Sequence, residues 1–142
     1  MLIIATTIAV SILLAVGIHY EVLSLASNCM RSTPLGHRVR VAAAVLAALG
    51  AHFIEVIAFA LGWKLLLVLG EARLSIDDPS FVQLLYFSSA TYTSLGYGDI
   101  VPLGDAGLFA GSEAVTGLVL IAWTASFTYF EMRAYWDDGE QR

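Results

Sequence analysis

The stretch that decides the fold is residues 89–102, which read SATYTSLGYGDIVP. Gly96 and Gly98 flank Tyr97 near its centre, and glycine adopts left-handed backbone conformations without steric cost. Alternation of left-handed and right-handed residues lets successive backbone carbonyls point to the same side of the chain. Rings of such carbonyls replace the water around a dehydrated cation. The spacing of the glycines is therefore typical of a cation-selective filter.

The same stretch resembles the selectivity filter of the potassium-channel pore family, whose usual pattern is Thr-x-x-Thr-x-Gly-Tyr-Gly-Asp. The residues that fill the pattern are Thr91, Ser94, Gly96, Tyr97, Gly98 and Asp99. Two positions depart from it. Ser94 replaces the second threonine but keeps a hydroxyl, and Leu95 replaces the more usual valine or isoleucine at a position that would coordinate through its backbone.

The resemblance covers about residues 40–134 and implies a small bacterial-type channel with one pore loop per chain. Chains of this kind assemble as fourfold homotetramers around K+. The implied ion ligands are the backbone carbonyls of Ser94, Leu95, Gly96 and Tyr97. The implied supports of the filter are Thr91, Gly98 and Asp99. The side chain of Tyr97 would face away from the pore.

The composition indicates an integral membrane protein. Of 142 residues, 58% are hydrophobic and 13% are charged, whereas soluble domains have about 25% charged residues. The mean hydropathy is +0.79. Nothing in the net charge of -5 suggests nucleic-acid binding, so the expected partners are membrane lipid, further copies of the chain and K+. No cofactor is expected. Cys29 is the single cysteine, which excludes an intrachain disulfide.

Three long apolar segments and one short one divide the chain. The long segments are Leu2–Ala26, Val41–Leu69 and Gly107–Phe130, each long enough to cross a bilayer. The short segment, Pro79–Thr93, is too short to cross and is expected to be re-entrant. A cleaved signal peptide would require Lys or Arg before its apolar segment, and none precedes the first segment here. We therefore expect a retained helix.

We therefore expect an all-α membrane protein with three transmembrane helices, a re-entrant pore helix and a filter. The expected units are a leading helix (1–27), a cytoplasmic loop (28–40), a pore domain (41–134) and a short cytoplasmic tail (135–142). Within the pore domain we expect an outer helix at 41–69, a pore helix at 79–93, the filter at 94–98 and an inner helix at 106–134.

The pore helix has a start signal in the sequence. Asp78 is expected to cap it and Pro79 to occupy its first position. Its C-terminal end would point to the middle of the membrane, where the helix dipole favours a cation. Five aromatic residues could form a cuff around the filter: Phe81, Tyr86, Phe87, Tyr92 and Tyr97.

The distribution of basic residues predicts the orientation. Arg31, Arg38 and Arg40 lie in the predicted loop at 28–40, which should therefore be cytoplasmic. The N-terminus then lies outside, and the last helix ends inside at Arg133. The expected location, given the resemblance, is a bacterial plasma membrane.

Two ionisable residues lie deep in the second segment. His52 and Glu55 are three positions apart, which puts them on one helix face. Buried charged groups in membranes face the protein interior. One alternative is a proton-sensitive pair that modulates the pore. The other is a hydrogen-bonded pair that fixes this helix to the pore helix through Ser88, Ser89 or Tyr92.

The last helix carries further polar and small residues. Glu113 either supports the back of the filter or makes an interhelical hydrogen bond without a role in gating. Gly117 resembles the hinge glycine of inner helices, although it equally allows close helix packing. Thr124 and Thr128 are expected to line a cavity. Ala90 occupies the place where bacterial channels usually carry a carboxylate behind the filter, which Glu55 or Glu113 could replace.

The expected function is passive, K+-selective conduction. Because Ser94 and Leu95 depart from the usual filter, a weakly selective cation channel is one alternative, and a non-conducting partner subunit with the same fold is another. No set of nucleophile, base and metal ligands converges on one face, so an enzyme is not expected. The leading helix has no regularly spaced arginines, so a voltage sensor is not expected either.

Overall fold

The computed structural model describes residues 1–32 and 36–140, with side chains at all of these except residue 37 and residues 134–140. Its elements are α1 (Leu2–Ser32), α2 (His37–Val68), β1 (Arg73–Leu74), α3 (Phe81–Tyr92), β2 (Pro102–Leu103) and α4 (Ala106–Glu140). Three helices, α1, α2 and α4, contain stretches long and apolar enough to cross a membrane. The short helix α3 packs against α2 and α4.

The helices extend beyond the apolar segments. α1 continues to Ser32 and α2 begins at His37, so most of the loop predicted at 28–40 is helical. α4 continues to Glu140, through most of the predicted tail at 135–142, of which residues 141–142 lie outside the described residues. An apolar run marks the part of a helix that lies in lipid. Polar residues continue the same backbone hydrogen bonds at the membrane surface, so the run does not mark the helix end.

Ser80, and not Asp78, caps α3. The backbone N–H of Gln83 donates to Ser80 Oγ over 3.3 Å, and the N–H of Ser80 donates to Gln83 Oε1 over 2.9 Å. This reciprocal pair is a capping box, which satisfies two backbone donors where a single carboxylate would satisfy one. Asp78 instead lies before the helix in a left-handed conformation, with φ 43°. The predicted start at Asp78 and Pro79 is therefore wrong by two residues.

A short antiparallel ribbon closes the segment that contains α3. Arg73 pairs with Leu103 and Leu74 pairs with Pro102. The ribbon continues in one further bond, in which the N–H of Ser75 donates to the carbonyl of Val101 over 2.9 Å. The expectation of a purely helical chain omitted this ribbon. It holds the chain before α3 against the chain that follows residues 94–98.

The helices α1, α2 and α4 meet closely around Gly62. A Cβ atom at this position would lie 2.7 Å from Phe109 Cζ and 3.1 Å from Ser11 Oγ. Small residues allow membrane helices to approach in this way. Beside Gly62, the buried rings of Trp63 and Phe109 pack edge to face at 4.9 Å. The leading helix α1 thus packs on α2 and α4 of its own chain, a question that the sequence left open.

Candidate functional site

The segment after α3 is anchored to the last turn of that helix. The N–H of Ser94 donates to the carbonyl of Thr91 over 2.9 Å. The N–H groups of Leu95 and Gly96 both donate to the carbonyl of Ala90, over 2.9 and 3.1 Å. These bonds use the carbonyls that a helix end leaves unpaired. The start of the 94–98 segment is therefore fixed relative to α3.

The backbone of this segment alternates in handedness. Ser94, Gly96 and Gly98 have φ values of 57°, 51° and 80°, whereas Leu95 and Tyr97 have no positive φ. The left-handed conformations expected of the two glycines are thus present. Ser94 is a non-glycine residue in this region, at a cost of about 1–2 kcal/mol. The bonds from residues 94–96 to the end of α3 hold that conformation in place.

This segment is exposed in the single chain. Every residue from 93 to 99 is exposed, including the large side chains of Leu95 and Tyr97, at 59% and 66% of their full surface. Both side chains therefore lie at the surface of the single chain.

Tyr86 connects α3 to the end of the segment. Its hydroxyl donates to Asp99 Oδ2 over 2.9 Å. Its ring stacks on Tyr97, with centroids 6.0 Å apart and planes inclined by 8°. The hydrogen bond to the Asp99 carboxylate, aided by desolvation, raises the pKa of the Tyr86 phenol above its ordinary value.

The other members of the predicted aromatic cuff lie elsewhere. Phe87 packs on Trp63 at 5.0 Å, and Tyr92 packs on Phe59 at 6.3 Å. Phe81 lies under the ammonium group of Lys64. Within one described chain, Tyr86 and Tyr97 are the two of the five that pack against each other beside residues 94–98.

His52 and Glu55 share a helix face, as their spacing predicted, and contact α3. His52 Nδ1 lies 3.0 Å from Glu55 Oε2 and 2.9 Å from the hydroxyl of Tyr92. The hydroxyl of Tyr92 also donates to Glu55 Oε2. Of the three partners proposed for this pair from the sequence, Tyr92 is the one that the structure brings to it.

Sequence reasoning missed two members of this group. His19 of α1 is fully buried and its Nδ1 lies 2.9 Å from Glu55 Oε1. Thr124 Oγ1 lies 2.9 Å from His52 Nε2 and 3.4 Å from His19 Nε2. Thr124 therefore bonds to the histidines of α1 and α2, and its role in lining a cavity stays a prediction. The available signal was a histidine within the apolar first segment, which like His52 needs a polar partner.

Glu113 joins three helices through its two carboxylate oxygens. Trp63 Nε1 of α2 donates to Oε2 over 2.8 Å, and Ser88 of α3 bonds to Oε1. Ser88 Oγ also lies 3.1 Å from the carbonyl of Val56. Glu113 and Ser88 are fully buried. Glu55 and Glu113 are the two carboxylates that the sequence suggested as supports of the filter. Both bond to side chains of α3.

Gly117 lies against the end of α3. A Cβ atom at this position would be 2.0 Å from the carbonyl oxygen of Tyr92 and 2.8 Å from its carbonyl carbon. Both are backbone atoms, which cannot move aside as a flexible side chain would. The contact gives Gly117 a packing role against Tyr92, which lies two residues before Ser94. A role of Gly117 as a hinge remains a prediction.

The His19, His52 and Glu55 group also has the spacing of a metal site, since one donor atom from each lies within 4.8 Å of the others. Each of these ring nitrogens and carboxylate oxygens already has a hydrogen-bond partner. We therefore interpret the group as a hydrogen-bonded network and assign no metal to it.

The contacts of Glu113 lead to a stability prediction. Glu113→Leu leaves the indole N–H of Trp63 buried without an acceptor, which should lower the unfolding free energy by about 1–3 kcal/mol. Glu113→Gln is the control, because its amide oxygen accepts from Trp63 while its amide N–H donates to Ser88. Thermal unfolding of the purified variants measures the difference. Equal stability of the Leu and Gln variants would show that the bonds contribute nothing.

Of the comparisons with known proteins, the one with protein-family models gives a match. The comparisons with curated proteins and with solved structures found no match. A protein-family model described as "Ion channel" matches residues 51–130, which is more than half of the chain and includes α3, the 94–98 segment and most of α2 and α4. Together with three helices of membrane-spanning length, the match identifies the chain as an integral membrane protein that belongs to the ion-channel family, whose domain conducts ions passively.

Proposed function

We propose that four copies of this chain form a K+-selective pore whose ion ligands are the backbone carbonyls of residues 94–97. The observation that carries the proposal is the alternating handedness from Ser94 to Gly98. Such alternation turns successive carbonyls toward one side, as a filter of stacked carbonyl rings requires. Each copy would supply one quarter of every ring.

The exposure of the segment supports the tetramer. A single chain leaves Leu95 and Tyr97 largely uncovered, although both belong to an anchored segment. Closed rotational symmetry covers the same surface in every copy. With one filter segment per chain, fourfold symmetry completes the rings and places the tyrosine rings against neighbouring copies.

The dimensions of α3 support a re-entrant path. Its 12 residues extend about 18 Å, which is less than the roughly 30 Å of the bilayer core. The β1–β2 ribbon keeps both ends of the segment at the same end of the molecule. Non-helical backbone at membrane depth is tolerated where it lines a water-filled path or is buried in protein, and a filter meets this condition.

The positions of the basic residues support a cytoplasmic location for the α1–α2 connection. Ser27 bonds to Glu131 over 3.0 Å, so α1 and α4 end on the same side, where Arg31, Arg38, Arg40 and Arg133 also lie in sequence. At the opposite end, the N-terminal amine of Met1 lies 3.5 Å from Glu71. The positive-inside rule then puts the N-terminus and Asp99 outside.

Weak selectivity among cations is the alternative function that a specific observation favours. Ser94 and Leu95 differ from the usual filter, and Ser94 adopts a left-handed conformation that is costly for a side-chain-bearing residue. A filter with a strained backbone at this level would discriminate less between K+ and Na+. The selectivity measurement that closes the Discussion separates the two functions.

Structure determination of the assembled protein in K+ and in Na+ tests the proposal. We expect a fourfold tetramer with a column of ion density between the carbonyls of residues 94–97 in K+, and an altered column in Na+. A dimer, or a tetramer without axial density in K+, would refute the proposed pore.

Opening of this channel should depend little on voltage. α1 carries no arginine before Arg31 in its last turn, whereas a sensor helix carries regularly spaced arginines that each contribute about 2.3 kcal/mol per 100 mV. Recording of open probability over a range of voltages in bilayers measures this. Steep activation equivalent to several elementary charges would contradict the prediction.

A further inference from the structure

One buried polar cluster connects all four helices of the chain. It consists of His19 on α1, His52 and Glu55 on α2, Tyr92 on α3 and Thr124 on α4, joined by the hydrogen bonds described above. His19 and Glu55 are completely buried, and the ring of Trp123 packs against His19 at 5.1 Å. The family resemblance and the proposed pore leave this connection to α1 unexplained.

The hydrogen bonds of the cluster fix the number of its protons. If Glu55 is ionised, it only accepts. Because the Tyr92 hydroxyl gives its one proton to Glu55 Oε2, it has none to donate to His52 Nδ1. Nδ1 of His19 and of His52 must then both carry hydrogen. If both imidazoles are neutral, their Nε2 atoms then carry no hydrogen and can only accept hydrogen bonds. They face one hydroxyl, that of Thr124, which has a single proton to donate. One Nε2 atom would be left without a donor.

One additional proton completes every bond. If one histidine is an imidazolium ion, its Nε2–H donates to Thr124 Oγ1, and the hydroxyl of Thr124 donates to the other histidine. Moving that proton from His19 to Glu55 Oε1 gives a second complete pattern in which all groups are neutral. Both patterns have the same proton count and a net charge of zero. A net charge at membrane depth is costly, so the same count is favoured on electrostatic grounds.

The cluster also leads from α1 to the filter segment. Glu55 accepts from His19 on one oxygen and from Tyr92 on the other. Tyr92 is the last residue of α3, two positions before Ser94, and its carbonyl is packed against Gly117. The remaining carboxyl group near Tyr92 is Glu113, whose oxygens are bonded to Trp63 and Ser88.

We propose that His19 is a positioning residue for the filter, acting through a net-neutral cluster in which His19, His52 and Glu55 share one proton. The positioning role rests on the proposed function, whereas the shared proton does not. Loss of the proton leaves a net negative charge and an unmatched ring nitrogen in the membrane. One of the two bonds between the histidines and Thr124 is then lost, which loosens the cluster that positions Glu55 against Tyr92.

The matched test of the proton is Glu55→Gln. A glutamine donates from its amide nitrogen to one histidine and accepts from the other, so it completes the same bonds without the extra proton. The wild type and Glu55→Gln should therefore melt at the same temperature. If the cluster instead lacks the proton, Glu55→Gln removes a net negative charge at membrane depth and completes the bonds, so it should melt at a higher temperature than the wild type.

Melting temperature and K+ flux from liposomes are measured on the same preparations. The control variant is Tyr20→Phe, which changes an exposed residue next to His19 on α1. His19→Leu leaves Glu55 Oε1 without a donor, so K+ flux should fall about tenfold with reduced preference over Na+, while Tyr20→Phe behaves as the wild type. Wild-type flux and selectivity in His19→Leu would overturn the positioning role.

The two parts of the proposal fail separately. A higher melting temperature for Glu55→Gln than for the wild type would overturn the shared proton. Stabilisation of the wild type by added Zn2+, absent in His19→Leu, would overturn it in favour of a metal site. If the wild type passes no K+, the proposed function fails, and the melting temperatures of the wild type and Glu55→Gln still decide the proton count.

Discussion

Gly96→Val should abolish the preference for K+ over Na+ while leaving assembly intact. Gly96 has a φ of 51°, and for a β-branched residue this conformation is a genuine outlier. Relief of that strain rotates the peptide and turns a carbonyl out of its ring. In a fourfold pore the change occurs four times at one level. The measurement is the ratio of K+ to Na+ flux into liposomes, with native mass determination to confirm the oligomer.

Gly104→Val is the matched control for this experiment. Gly104 has a similar φ of 61°, and a Cβ atom at either position would meet no other atom of the chain within 4 Å. The two substitutions therefore impose the same kind of backbone strain, one inside the filter segment and one after it. Selective flux should survive Gly104→Val. If Gly96→Val retains selectivity as well, residues 94–98 are not the filter.

Gly117→Ala should destabilise the protein and impair conduction, although alanine is the better helix former by about 1 kcal/mol. The added methyl group would lie 2.0 Å from the carbonyl oxygen of Tyr92, so α4 must move away from α3. Overpacking of this kind costs about 1–3 kcal/mol. Tyr92 lies two residues before Ser94, so a shift of its backbone should also disturb the proposed filter. Selective flux should therefore fall together with stability. Melting temperature and K+ flux measure the two effects.

Gly111→Ala on the same helix is the control, because a Cβ atom there would meet no atom of the chain within 4 Å. It should melt at or above the wild-type temperature. The pair also distinguishes the two interpretations of Gly117. A hinge without a packing role predicts that Gly117→Ala changes opening but raises the melting temperature as Gly111→Ala does, and that result would contradict the contact with Tyr92.

The elements nearest the filter were predictable because their signals are local. The glycine spacing predicts the left-handed positions at 96 and 98, and the length of the apolar segments predicts three membrane-length helices. The helix boundaries were less accessible, since α1 and α2 continue through polar residues at the membrane surface. The left-handed conformation of Ser94 was not predicted, because a serine carries no such preference, and bonds to the end of α3 accompany it.

The contacts behind the filter could not be predicted, because they depend on how helices cross. The spacing of His52 and Glu55 shows that they share a face, but nothing in the sequence pairs Glu55 with His19, 36 residues away. Trp63 and Glu113 are 50 residues apart and meet for the same reason. The role of Gly117 could not be predicted for the same reason. Its sequence context fits a hinge or close packing, and the close packing depends on where the Tyr92 carbonyl lies in the fold.

The central claim is that this chain forms a K+-selective pore, and the reversal potential of purified protein in a bilayer tests it most directly. With K+ on one side and an equal concentration of Na+ on the other, current through stacked carbonyl rings should reverse far from zero, at a potential that opposes the flow of K+ out of its compartment. The Gly104→Val variant should reverse at the same potential as the wild type. Reversal near zero, or the absence of any current from correctly assembled protein, would contradict the account.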